Sequence, residues 1–389
     1  MSREPMPGGA DVDRSPLLAV IELGGGGHRL WYVRLILEAA RELIPLDRLL
    51  VITTAEARAT DEWALHLAPI VADEQVQTLD ARATDPMMEA LELGSASGAF
   101  VVVPDGDHYL RRVRQWPRDL RGSLLVVRAH PQPGIGGRLR HAVKLRAIKT
   151  ASRRTPKMRI LSLEMTEQSQ HPAMRRLGVD VALDPIRFEP HDVTPQSWLH
   201  RHGVPTATPV ALAIGDLSER KYVPEILQAW QADPQDVTLV LVGRPSATVE
   251  RLAHAAQAAI ADDSTRSLAL HFGACSDADF DTWIASADAV FALHRNPGAS
   301  GVTLKAWTAG VSLVVNDAPL TRQVCDELSV DALCVDGSPA SLRHAFGVIA
   351  ASPRRDRTSH APVRSGHEVP LAMLRGLFDE GFGPVAGAQ

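Results

Sequence analysis

Lysine is scarce in this chain. There are five, at positions 144, 149, 157, 221 and 305, against 36 arginines. None follows a glycine, so no GxxxxGK[ST] phosphate loop exists and the P-loop NTPases are excluded. HExxH is also missing, which removes the commonest zinc-hydrolase arrangement. The three cysteines, Cys275, Cys325 and Cys334, lie far apart with no CxxC pair. Zinc ribbons and a disulfide framework are therefore not expected, and a reducing cytoplasm is. No apolar run reaches the roughly 20 residues that a membrane-spanning helix needs. Residues 1–15 hold glycines, prolines and acids with no apolar stretch before Leu17, so they read as a disordered arm rather than a secretory signal.

What is present is globular in character. The 389 residues are 45% hydrophobic and 22% charged, room for two or three domains with buried cores. Net charge is −5 but unevenly spread. Between Arg111 and Arg159 stand 15 lysines and arginines and one acid, Asp119, a local balance of +14 that leaves −19 for the rest. Such a block points to an anionic partner.

Short β-branched runs alternate with amphipathic stretches, the pattern of an open parallel α/β sheet. Strands are expected at Leu17–Leu23, Leu49–Thr53, Val76–Leu79, Ala99–Val103, Leu124–Val127 and Arg159–Leu163, with helices including Leu30–Leu43 and Met87–Leu93. A proline-rich polar stretch follows, and a second series starts at Val210–Ile214. It continues through Val237–Val242, Leu268–Phe272, Ala289–Ala292, Val311–Val315 and Ala332–Val335. The expected organisation is an arm (1–15), a Rossmann-like domain (16–185), a linker (186–207), a second Rossmann-like domain (208–351), and a polar linker with a terminal helix (352–389). Two such sheets facing across a cleft would bind ligands beyond the carboxyl ends of their strands.

Four strand ends there carry chemistry. Gly24-Gly25-Gly26-Gly27-His28-Arg29 follows the first strand and opens the first helix; glycines let backbone amides approach a phosphate, sugar or acceptor, or simply make a tight turn. The third glycine of a dinucleotide fingerprint is replaced by Arg29. Arg220-Lys221, after Gly215-Asp216, stands where cations oppose a helix dipole, so the pair suits a diphosphate better than a solvated helix start. Ser300-Gly301 is a good N-cap with bare amides beyond it, and Lys305 lies on the helix that follows. His130, in Arg128-Ala129-His130-Pro131, could bond a hydroxyl or be a satisfied loop histidine, and His108 competes with it. Asp105-Gly106-Asp107 has a spacing that can hold a divalent metal, but Asp-x-Asp is common by chance and recurs at Asp11 and Asp13 in the arm, so metal ligation is not the expected reading.

Together these motifs resemble a GT-B glycosyltransferase of the retaining family-4 type. The resemblance is strongest over Leu177–Val335, where DPIRFEP (184–190), GDLSERKYVPEILQAW (215–230) and ADAVFALHRNPGASGVTLKAWTAGVSLVV (287–315) keep the family's order and spacing. The first of these is similar to the family's domain-boundary strand, and GGGGHRLWYVRLILEAA (24–40) looks like its glycine loop and first helix. The resemblance implies metal-independent transfer, with retention, from a nucleotide sugar (UDP-, GDP- or dTDP-linked) to a hydroxyl on a small-molecule, glycan or lipid-linked acceptor. It implies that Arg220 and Lys221 hold the pyrophosphate, that Ser300, Gly301 and Lys305 contact donor phosphate or sugar, that Gly25, Gly26, Gly27 and His28 line the acceptor or phosphate loop, and that His130 is the catalytic histidine at the donor sugar. No separate cofactor and no nucleic acid are expected. The family's paired glutamates fall on Pro297 and Lys305, the arginine after its first glycine on Asp216, and the glycine after its lysine on Tyr222. A catalytically silent GT-B scaffold, or another α/β enzyme using sugar nucleotides, is the alternative. Finally, Arg138–Arg154 carries seven cations with Leu139, Val143 and Leu145 or Ile148 on one helical face. It reads as a solvated helix or as a dock for an anionic acceptor or the anionic inner face of a membrane.

Overall fold

A computed structural model describes residues 16–26, 29–80, 85–232, 236–263, 266–295, 300–352 and 368–379. Its first sheet contains β1 (Leu18–Ile21), β2 (Leu49–Thr54), β3 (Val76–Leu79), β4 (Phe100–Val103), β5 (Gly122–Val126), β6 (Met158–Glu164) and β7 (Asp180–Leu183), in the order β3-β2-β1-β4-β5-β6-β7. The second contains β8 (Val210–Leu217), β9 (Thr238–Pro245), β10 (Leu268–Phe272), β11 (Ala289–Ala292), β12 (Ser312–Asn316) and β13 (Ala332–Val335), in the order β10-β9-β8-β11-β12-β13. The registered pairs in both are parallel, β1 with β2 and β4, and β8 with β9 and β11.

Composition explains why these runs become central strands. Every residue of Leu-Ala-Val-Ile in β1 and Phe-Val-Val-Val in β4 is buried, as strands covered on both faces require. In the second sheet a period of two sorts the side chains. Ala211 and Ala213 join Leu239, Leu241 and Trp230 in one core; Leu212 and Ile214 join Val240, Val242 and Trp283 in the other.

Contacts divide the chain into two compact units, one of residues 1–126, 146–161 and 370–389, the other of 127–145 and 162–369. This division cuts across the expected boundary at 185. The stretch read as a linker holds the helix Pro195–Arg201, started by proline at its first turn and capped by Thr194, with Trp198 and Leu199 buried against the second sheet. β7 was not expected, and 184–190 forms no strand. β7 opens on Asp180 and is followed by Asp184, and only its third residue is buried, so its pattern is weak. The expected arm and most of the polar linker (353–367) lie outside the described residues. Among the described residues no helix is long and apolar enough to cross a membrane.

Candidate functional site

Each sheet changes direction once: the strand order turns between β1 and β4 in the first and between β8 and β11 in the second. At such switch points the loops leave in opposite directions and open a crevice beyond the strand ends. Three of the four expected motifs stand there.

At the first switch point the glycine loop meets carboxylates. Glu22, closing β1, accepts a hydrogen bond from the Gly24 amide at 2.8 Å. The Arg29 guanidinium lies 3.0 Å from Asp105, which follows β4, and 3.9 Å from Glu22. A Cβ on Gly24 would come within 2.3 Å of that guanidinium, and one on Gly25 within 2.5 Å of Thr60, so both glycines make room for neighbours; Gly26 is open. Burial pushes the Glu22 carboxyl up to about 8, with Asp105 adding to the effect while the Gly24 amide and Arg29 oppose it. The buried Tyr109 hydroxyl, beside these groups, has no hydrogen-bond partner among the described residues. One amide of the loop is thus already taken by an acid, and two carboxylates face one guanidinium. That suits hydroxyl groups better than a phosphate. Asp105 serves Arg29, and among the described residues no three His, Cys, Asp or Glu side chains converge as a metal site. Gly27 and His28 lie outside the described residues.

The second switch point has the opposite character. Lys221 folds back so that its ammonium donates to the Ile214 carbonyl at 3.2 Å, and Arg220 pairs with Asp216 at 3.0 Å. Burial, and then Arg220, push the Lys221 ammonium down to about 8. His294, at the end of β11, is held neutral: burial, then Lys221 and Arg220, push it down to about 3. The next residue, Arg295, clasps the turn. Its amide donates to the Arg220 carbonyl and its Nε to the Glu219 carbonyl, both at 2.9 Å. Its guanidinium pairs with Glu225 and lies 4.2 Å from the centroid of the Tyr222 ring. Tyr222 occupies the left-handed region at φ 58°, where a side chain costs about 1–2 kcal/mol. Its ring fills the space over Gly337, whose own φ is 79° and on which a Cβ would stand 2.4 Å from it. The Ser300 hydroxyl caps the helix Gly301–Thr308 by accepting from the Thr303 amide. Residues 296–299 lie outside the described set.

Lys305 corrects an expectation. Its ammonium pairs with buried Asp281 and donates to the Arg187 carbonyl at 2.8 Å, so it does not stand free for a phosphate. Asp281 also accepts from the Glu189 amide at 2.7 Å. Lys305 therefore fastens the helix Gly301–Thr308 to Asp281 and to the backbone at Arg187.

His130 bonds Glu164, the last residue of β6, through Nε2 at 3.0 Å. The other oxygen of Glu164 is buried and has no partner among the described residues. The His171 ring stands edge-on, 5.9 Å from His130 and 4.6 Å from His141. Burial and the neighbouring cations push His141 down to about 4.

Glu22, Glu164, Arg295 and Asp281 went unread in the sequence. A signal existed for the first two: each is a single acid ending an apolar strand, where water would have to be replaced by a designed partner. Arg295 and Asp281 act through contacts 70 or more and 24 residues away, which no local pattern carries.

No family model matches the chain, and no curated protein matches it. Solved structures do. HepE from Anabaena in complex with UDP-glucose aligns with a TM-score of 0.59 at 14% identity, over 92% of this chain and 95% of that one. The chain has the GT-B fold. Sucrose-phosphate synthase from Thermosynechococcus elongatus aligns equally well, 0.59 at 14% over 94% and 97%. UDP-GlcNAc 2-epimerase from Methanocaldococcus jannaschii gives 0.55 at 11% over 93% and 99%, so this fold also serves a second sugar-nucleotide chemistry.

Proposed function

We propose that this GT-B chain is a glycosyltransferase that moves a sugar from a nucleoside diphosphate to a hydroxyl acceptor. One observation carries the reading: at the second switch point Arg220 and Lys221 lie on a turn tied through Arg295 to the loop that leads to the capped helix at Gly301. Two cations at a strand end are what a leaving diphosphate needs, because they neutralise charge as the glycosidic bond breaks. They supply that neutralisation without a metal, and the donor is assigned to UDP because aligned HepE structures hold UDP-glucose and UDP with glucose. The acid-rich first switch point takes the acceptor, whose hydroxyls can donate to Glu22 and Asp105. His130, oriented by Glu164, serves the donor sugar near the reacting carbon, and transfer with retention is part of the proposal, supported by the likeness of the sequence motifs to retaining glycosyltransferases.

The test is a thermal-shift panel of UDP, GDP, dTDP and ADP and their sugars, followed by product analysis. A ligand at about 100 times its dissociation constant should stabilise by roughly 2.7 kcal/mol. UDP is expected to give the largest shift and the UDP-sugar a new glycoside when an acceptor library is added. A free epimerised sugar nucleotide instead would move the chain to the epimerase reading, and no shift with any nucleotide would leave a silent scaffold.

A further inference from the structure

The helix Gly134–Arg154 is built inside out. Leu139 and Val143 were expected to share a face with Leu145 or Ile148; instead Ile148 is buried with Gly137 and His141, and the other two are exposed. Ile135, Leu139 and Val143 are 86%, 65% and 56% exposed, the three most exposed large hydrophobic side chains among the described residues. Spaced four apart, they form one stripe about 12 Å long on the outer face. At 100° per residue, Arg146 and Arg153 continue that stripe, while Arg138 and Arg140 flank it on either side. All four are exposed. No acid occurs between Asp119 and Glu164, so the helix contains no carboxylate to answer seven cations.

A solvated helix would put its apolar stripe inward and its charges outward. This one already has an inward face and carries a second apolar stripe outside it, continuous with cations. From that juxtaposition we infer that the outer face of Gly134–Arg154 docks onto an anionic lipid leaflet, with Ile135, Leu139 and Val143 entering the interface and Arg138, Arg140, Arg146 and Arg153 meeting the headgroups. The charge complementarity selects the occupant: the aliphatic stripe has no counterpart on a nucleic-acid backbone, and seven cations would repel the same face of a second copy. The inference is independent of the proposed reaction, since none of the side chains it uses belongs to either switch point.

The experiment is co-sedimentation of the full chain with phosphatidylglycerol/phosphatidylcholine vesicles and with pure phosphatidylcholine vesicles, at low and high salt, beside a sizing run at two protein concentrations. Binding to the anionic vesicles only is expected, weakening at least tenfold at high salt. Leu139→Asp/Val143→Asp should lower it tenfold or more, and Arg138→Gln/Arg146→Gln should lower it and flatten its salt dependence. These side chains are exposed, so the variants should keep the wild-type melting temperature. Absence of anionic-vesicle binding overturns the inference. So does binding that the apolar pair does not change, or a concentration-dependent dimer that the same pair abolishes.

Discussion

The two switch points occupy equivalent places in two sheets of the same design, yet they differ in charge. The first sets Glu22 and Asp105 against one guanidinium; the second sets Arg220 and Lys221 against Asp216. Strand order decides where a ligand can sit, and a handful of loop residues decide what it is. Under the proposed reaction the contrast divides labour: carboxylates for an acceptor's hydroxyls, cations for a departing diphosphate.

Removing the cationic side should have the largest effect. Lys221→Ala is expected to lower kcat/KM for transfer by about 10²-fold or more, the loss of one preorganised electrostatic contact. Glu22→Gln should cost much less there, because it keeps an oxygen for the Gly24 amide. Equal losses in the two variants would erase the distinction between the sites.

Proton linkage offers a second, intermediate effect, with opposite slopes. Glu22 ionises near 4.5 when unfolded and about 8 when folded. Its stabilising contribution is therefore whole below about 4.5 and is lost as pH rises through about 8. Lys221 runs from 10.5 unfolded to about 8 folded, so its contribution is whole above 10.5 and is lost as pH falls towards 8. Urea melts across pH 5 to 10 should show the stability of wild type relative to Glu22→Gln declining by about 1–3 kcal/mol from pH 5 to 8, a comparison in which the titrations of His141 and His294 cancel. Lys221→Met should flatten only the alkaline limb. A Glu22→Gln curve parallel to wild type below pH 8 would rule out the buried acid.

The smallest effect is expected at Arg295. Arg295→Ala leaves both cations in place but frees their turn, so KM for the donor should rise several-fold, at most about tenfold, with kcat nearly kept. Arg295→Lys restores the charge beside Glu225 but not the planar stack on Tyr222, and should recover part of it. Wild-type KM in Arg295→Ala would show that the turn holds its shape unaided.

Much of this contrast is legible in the sequence. Alternation of β-branched runs locates the central strands, because a strand buried on both faces has to be apolar throughout; β7, which begins with Asp180 and stops before Asp184, escapes for the complementary reason. Arg220, Lys221 and Ser300 were readable because a cation or a cap at a strand-to-helix junction is a local pattern. Lys305 was misread because its meaning depends on Asp281, and Glu164 was passed over because its meaning depends on His130, 34 residues earlier. Sequence spacing reports which face a residue occupies, but not which distant charge waits there. The Gly134–Arg154 helix failed differently: periodicity found a shared apolar face where the helix has two, one for the protein and one for its surroundings.

The ring of Tyr222 seated over Gly337 has a consequence for how such a chain can drift. Neither position can change alone without penalty: a side chain at 337 would collide with the ring, and both backbones already occupy the left-handed region. A glycine at 222 would lift the obstruction and relax its own backbone, while leaving the Arg295 guanidinium with no ring to cover. The three positions are thus bound into one inheritance, and a descendant that takes glycine at 222 should be free to vary at 295, whereas one that keeps the tyrosine must keep glycine at 337.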